Sequence, residues 1–178
     1  MHENKPFQIY IIESPSSKDV FDARSEGKLI QQALAIAEIQ ATLKVAVDRE
    51  RFMDALLACE EQLISQRVQV LVLHISAHGN EKGIQLTNKE FLAWADLEKR
   101  LGQLNEALHG QLILCMSSCE GARAWNMALN HSPGAYSVLV GSEEKPTWSE
   151  TAIGFAAFYH LLAVGKRVAG AVAGMNAA

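Results

Sequence analysis

The chain has 178 residues, of which 49% are hydrophobic, and this length suits one domain, residues 1–178, around a single core. Its 20 acidic and 16 basic side chains give a formal charge of -4 at pH 7 with histidine neutral. This acidic balance argues against a nucleic-acid partner, because phosphate binding depends on clustered Lys and Arg.

No segment has the length and apolar character of a membrane span or a secretory leader. The best candidate, residues 152–164, is too short and is interrupted by Tyr159 and His160. We therefore expect a cytoplasmic protein without a membrane partner. The three cysteines, at positions 59, 115 and 119, form neither an even disulfide set nor a paired Cys-x-x-Cys set, so we expect reduced thiols and no metal or other cofactor.

Strand-like and helix-like segments alternate in the first half of the chain. The predicted strands are residues 7–12, 42–47 and 68–75, and the predicted helices are residues 25–39 and 52–64. The polar run from Glu13 should end the first strand, and Ser25 is placed to cap the first helix. The third strand is almost wholly apolar, which is typical of a parallel strand covered on both faces and predicts the centre of the sheet.

The second half continues the same alternation. A hairpin is predicted over 83–94, strands over 111–116 and 136–140, and helices from about residue 96, through Trp125 and Leu129, over 149–162 and within 168–178. Together the segments predict an α/β fold, a three-layer sandwich in which a mainly parallel central sheet has helices on both faces. Ligands of such sheets bind beyond the carboxyl ends of the strands.

Two motifs follow predicted strands at that edge. His78 lies in Ser76-Ala77-His78-Gly79 and Cys119 in Ser117-Ser118-Cys119-Glu120-Gly121, each two to three residues after its strand. A cysteine nucleophile needs a base that removes its proton, and a histidine on a neighbouring loop is the usual one. The backbone N–H groups of Gly79 and Cys119 are candidates for an oxyanion hole.

A His-Gly and a Cys-x-Gly motif, each after an apolar strand and in this order, resemble the caspase-like cysteine peptidases. The resemblance is nearest to the bacterial CHAT subgroup, which is related to separases and metacaspases, and it extends from Ile9 to the helix that carries Tyr159. The Gln-Ala-Cys-x-Gly form of animal caspases is absent. Ser117 stands at a position where metacaspases often have an acid.

The resemblance implies a Cys-His dyad endopeptidase with His78 as base, Cys119 as nucleophile and Gly79 as an oxyanion donor. Such an enzyme cleaves after one selected residue in a flexible segment of a protein or peptide substrate. The resemblance also implies that cleavage activates or destroys a partner protein, in a bacterial stress, defence or cell-death pathway. A separate protein that activates or regulates the enzyme is also expected, because the chain lacks appended recognition domains.

The loops that follow the first and fifth predicted strands should border the substrate cleft. The candidate substrate-binding residues are Arg24, Ser117, Glu143, Glu144 and Trp148. An inward Arg24 would favour an acidic P1 side chain, whereas an inward Glu143, Glu144 or Glu150 would favour Lys or Arg. The sequence leaves both open, and the preferences of CHAT-like and separase-like proteins favour a basic P1. Trp148 could equally pack under the last long helix.

Other interpretations of the same residues stay open. Cys119 could be an inert buried thiol, and His78 could cap a backbone group in its loop. The chain could then be a caspase-like interaction module with an idle dyad. A flavodoxin-like phosphate binder is disfavoured, because the loop after the first strand has no glycine-rich cradle.

Overall fold

The computed structural model describes residues 7–66, 68–128 and 134–178. Within those residues one seven-stranded sheet is formed by β1 (Gln8–Ser14), β2 (Ala41–Val45), β3 (Leu71–Asn80), β4 (Gly83–Gln85), β5 (Phe91–Ala93), β6 (Leu112–Ser117) and β7 (Val138–Gly141). Five of them are parallel, in the order β2-β1-β3-β6-β7. The end of β3 also pairs with the antiparallel hairpin of β4 and β5.

Helices cover both faces of this sheet. They are α1 (Ser17–Phe21), α2 (Glu26–Ile36), α3 (Arg49–Gln66), α4 (Trp94–Ala107), α5 (Trp148–Ala163) and α6 (Val168–Met175), with a 3₁₀ helix over Gly121–Ala128. Phe52 and Leu101 of α3 and α4 pack on one face with Leu73, whereas Ile30 and Phe155 of α2 and α5 pack on the other. The predicted α/β three-layer sandwich is confirmed.

The centre of the sheet is β3, as its apolar sequence predicts. All residues from Leu71 to Ala77 are buried. Because side chains alternate along a strand, Leu73 and Ile75 enter one hydrophobic cluster while Val72 enters the other. The strand lies between β1 and β6, so it is covered by helices above and below and paired on both edges.

Two strands extend beyond their predicted carboxyl ends. The first includes Glu13 and Ser14, which are buried because Glu13 accepts hydrogen bonds from Ser25 and Gly27 and Ser14 donates to the carbonyl of Ala46. The third continues to Asn80 instead of ending at residue 75. It continues because its last three residues pair with β4, a partner that local sequence does not indicate.

Smaller differences concern helices and ends. Ser25 caps α2 as predicted, with its hydroxyl accepting the N–H of Lys28. The short helix α1 is not among the predicted elements. The helix predicted through Trp125 is a 3₁₀ helix as far as Ala128, and Leu129 lies outside the described residues. Among the helices of the described ranges, none is long and apolar enough to cross a membrane.

Candidate active site

The pairing of β3 with β6 brings the two motifs together. Ser76 lies opposite Ser117 in parallel register, and this is the last pair between the two strands. His78 and Cys119 each follow two residues later; His78 still lies within β3, whereas Cys119 lies in the turn after β6, where strand alternation no longer applies. Neighbouring strands lie about 4.8 Å apart, so the two backbones remain close beyond the last pair.

His78 is positioned by the pairing of β3 with the hairpin of β4 and β5. Its backbone pairs with Gln85 of β4, which keeps the end of β3 extended. The side chain is 46% exposed, and its Nε2 lies 3.7 Å from Oδ2 of Asp19. The indole of Trp148, at the start of α5, stacks on the imidazole with ring centres 6.0 Å apart and planes 28° apart. One edge and one face of the imidazole are therefore defined by protein groups.

Asp19 is fixed by residues of its own loop. Ser16 caps α1, accepts the N–H of Asp19 and donates its hydroxyl to the Asp19 carboxylate. The guanidinium of Arg24 lies 2.8 Å from the other carboxylate oxygen. Burial raises the pKa of Asp19, but the Ser16 hydrogen bond and the charges of Arg24 and His78 outweigh it and leave this pKa below its ordinary value. The carboxylate is thus an anion beside His78.

Cys119 occupies a loop with a defined backbone. It is partly exposed. The next residue, Glu120, has a left-handed φ of 55° and donates its N–H to the carbonyl of Glu144 at 3.1 Å. The N–H of Cys119 itself donates to no backbone carbonyl among the described residues.

Glycine is needed at two positions around this loop. A Cβ on Gly79 would lie 3.1 Å from the carbonyl oxygen of Cys119 and from the side chain of Ser118. A Cβ on Gly121 would lie only 2.8 Å from the carbonyl oxygen of Met116. The strand that carries His78 and the loop that carries Cys119 therefore touch through glycine, and larger residues would push them apart.

The thiols of the other two cysteines are buried and resist ionisation. Cys59 and Cys115 are fully buried, and burial raises the pKa of each thiol to about 12. Cys115 lies opposite His74, four residues before the dyad pair on the same face, and His74 is equally buried. Of the three thiols, Cys119 alone is in reach of a solvent-borne reagent.

A buried carboxylate joins the last paired residues of β3 and β6. Glu26, the first residue of α2, is 2% exposed and accepts hydrogen bonds from Ser76 and Ser117, each at 2.5 Å. Ser117, predicted to contact substrate, is itself buried and so supports the site from within. Burial raises the pKa of Glu26, although the hydrogen bonds from the serine hydroxyls oppose the rise.

The remaining predicted substrate residues lie at the surface. Arg24 is engaged with Asp19 and Asp22, so its charge is largely compensated. Glu143 and Glu144 are exposed in the loop after β7. The structure brings Trp148 against His78, while Glu144 reaches the site through its backbone carbonyl.

Two site residues are absent from the sequence-based prediction, Asp19 and Glu26. Asp19 lies in a five-residue helix that is too short to show periodicity. Glu26 follows the Ser25 cap, where an acidic residue is expected to favour the helix dipole at the surface, and nothing local indicates its burial. Within the described ranges, no three His, Cys, Asp or Glu side chains cluster in a way that could hold a metal ion.

Comparison with known proteins adds no assignment. No protein-family model matches the sequence, and no curated protein matches it. The likeness to caspase-like peptidases therefore depends on the two sequence motifs alone.

Proposed function

We propose that this chain is a caspase-like cysteine endopeptidase in which Cys119 is the nucleophile and His78 the general base. The observation that carries the proposal is the parallel register of β3 and β6, whose last pair is Ser76 and Ser117, together with the close approach of Gly79 to the backbone of Cys119, so that both motifs lie at the carboxyl edge of the sheet. This edge is where α/β sheets hold their ligands. The exposure of both side chains supports access by a polypeptide.

The imidazole nitrogens would have separate tasks. Nε2 lies on the side of Asp19, so Nδ1 is the nitrogen left for the thiol. Nδ1 takes the Cys119 proton, and the thiolate attacks the carbonyl carbon of the scissile peptide bond. The imidazolium then gives its proton to the leaving amine as the C–N bond breaks. Water, deprotonated by His78, hydrolyses the thioester and returns the thiol.

Two features of the loops support the charged states of this reaction. The unpaired N–H of Cys119 is a donor for the oxyanion, and Gly79 keeps the space beside it free of a side chain. The Asp19 carboxylate orients the imidazole and stabilises the imidazolium that forms during attack. Asp19 acts through His78 and is a positioning residue.

Charges around the site favour a basic P1 side chain. The guanidinium of Arg24 is compensated by Asp19 and Asp22, and it is 55% exposed, which leaves little positive potential for an acidic substrate. On the other side, Glu143 and Glu144 are exposed in the loop that borders Cys119. Lys145 of the same loop pairs with Glu120 at 3.7 Å, so a Lys or Arg side chain of the substrate would meet the charges of Glu143 and Glu144 there.

A peptide library with all residues at P1 tests the proposal directly. We expect cleavage, with Lys or Arg selected at P1, and its loss in both Cys119→Ala and His78→Ala. Cys59→Ala is the matched control, because it removes a buried thiol far from the site and should leave cleavage intact. A wild-type protein that cleaves nothing, and whose Cys119 reacts with a thiol probe at the same rate with and without His78, would refute the peptidase and favour the interaction module.

A further inference from the structure

Glu26 joins the two strands at the level just below the dyad. Its Oε2 accepts the hydroxyl of Ser76 and its Oε1 the hydroxyl of Ser117, so one carboxylate spans β3 and β6. These serines face each other in register, and they precede His78 and Cys119 by two residues each. The carboxylate is therefore one side-chain layer beneath His78, on the same face of β3, and two residues before Cys119 along the other strand.

No backbone pair joins β3 and β6 beyond those serines in the described residues. The Ser76–Glu26–Ser117 bridge is thus the last side-chain tie between the strands before His78 and Cys119. It also anchors both strands to the amino end of α2, which comes from another layer of the fold. Backbone pairing up to the serines and the close approach of Gly79 to Ser118 and Cys119 also hold the two strand ends together, and the carboxylate bridge adds a side-chain constraint of fixed length at this level.

Stability alone gives a poor reason for an acid at this position. An ionised carboxylate loses its hydration when it is buried, and a well-packed apolar residue would commonly be as stable or more so. The two hydroxyl donors limit that cost without removing it. The carboxylate differs from an apolar residue in that it accepts hydrogen bonds from two strands at once, and this points to a role other than core packing.

We infer that Glu26 is a positioning residue that sets the separation of His78 and Cys119 by bridging Ser76 and Ser117. This role rests on the proposed peptidase function. Variants of Glu26 and of the two serines are therefore assayed for the reactivity of the Cys119 thiol as well as for peptide cleavage. A misplacement of about 1 Å between reacting groups can cost about a hundredfold in rate. The bridge acts on kcat, since Glu26 is buried and touches no substrate.

Two substitutions of Glu26 distinguish the effect of side-chain length from the effect of side-chain charge. Glu26→Gln keeps the length and can still bridge, with its carbonyl accepting one hydroxyl and its amide donating to the other serine. Glu26→Asp keeps the charge but is one methylene too short to reach both serines. We expect Gln to retain kcat within about threefold and Asp to lose about tenfold or more, with KM little changed in both.

The serines give an independent route if an acidic variant folds poorly. Ser76→Ala and Ser117→Ala each release one end of the bridge without altering α2, and each should lower kcat as Glu26→Asp does. Asn105→Ala is the matched control, since Asn105 is a buried polar residue that holds the opposite end of β6 through the N–H of Leu112. It should lower stability while leaving kcat and Cys119 reactivity unchanged.

The rate of Cys119 alkylation by iodoacetamide is the second readout, and it requires no substrate. If His78→Ala slows alkylation, and Glu26→Asp and the serine variants slow it too, the inference is supported. If His78→Ala slows it but the Asp and serine variants react as the wild type does, Glu26 is structural only and the peptidase stands. If His78→Ala changes nothing and no peptide is cleaved, the proposed function and this inference fail together. Retained activity in the Asp variant with loss in the Gln variant would also overturn the bridge, because charge and not length would then matter.

Discussion

His74 should make the stability of this protein depend on pH in a calculable way. The ring is fully buried, with Nδ1 2.6 Å from the hydroxyl of Tyr159 and its edge against Phe155, and burial lowers the pKa of His74 from 6.5 to about 3. The folded protein therefore keeps His74 neutral while the unfolded chain takes up a proton below pH 6.5. The stability from this group is present above pH 6.5 and is lost as the pH falls toward 3. The loss is ~1.4 kcal/mol per pH unit, or about 2 kcal/mol between pH 8 and pH 5.

His74→Gln isolates this contribution, because a neutral amide can still pair with Tyr159 but does not titrate in this range. Urea unfolding of both proteins from pH 8 to pH 5 gives the difference in their free energies of unfolding. Asp19 and Glu26, whose shifted pKa values also make stability depend on pH, are present in both proteins and cancel. The difference should shrink by about 2 kcal/mol. His160→Gln, which replaces an exposed histidine, controls for loss of an imidazole. A difference that stays constant with pH would show that His74 is solvated or protonated in the fold.

Three further outcomes follow from the site. In the native protein at pH 8, iodoacetamide should label Cys119 alone, because a thiol with a pKa of about 12 is ionised to only about one part in ten thousand; native labelling of Cys59 or Cys115 in peptide mapping would contradict their burial. Gly121→Ala should lower the free energy of unfolding by about 1–3 kcal/mol, since its Cβ would lie 2.8 Å from a backbone oxygen. Gly170→Ala, with open space at that position, is its control and should lower nothing. Asp19→Asn should lower kcat/KM by about two- to fivefold, as expected for a partly exposed ion pair, and this effect should shrink in high salt. A pH-rate profile that Asp19→Asn leaves unchanged would argue against contact of Asp19 with His78 during the reaction.

Much of the frame could be predicted from the sequence because local pattern decides it. The almost wholly apolar run before Ser76, rich in β-branched residues and short, favours a central parallel strand over a helix. Ser25 caps α2 because its side chain can satisfy an N–H that every helix start leaves unpaired. Two similar strands, each followed by a reactive residue at the same offset, then place His78 and Cys119 at one edge once they pair in register.

The parts that could not be predicted depend on partners distant in the chain. Glu26 is buried because it meets Ser76 and Ser117, which are 50 and 91 residues away, whereas an acidic residue at a helix start is ordinarily solvated. The last residues of β3 are extended because β4 pairs with them. Asp19 reaches His78 across 59 positions of sequence, through a helix too short to show a pattern.

The end of strand pairing at Ser76 and Ser117 has a consequence for how such a site could diversify. The end of β3 that carries His78 pairs with the hairpin of β4 and β5. The loop of Cys119 is instead hydrogen-bonded to the segment after β7, through the carbonyl of Glu144. The segment at residues 142–147 is largely exposed, so insertions there would change the surroundings of Cys119 without entering the sheet, whereas the turn at residues 86–90 is anchored by the buried Leu86 and by hydrogen bonds of Thr87 to Ser14 and Pro15. Under the proposed function, the same frame would acquire different substrates through exchange of that exposed segment, while the layer of buried hydroxyls and carboxylate beneath His78 stayed the same.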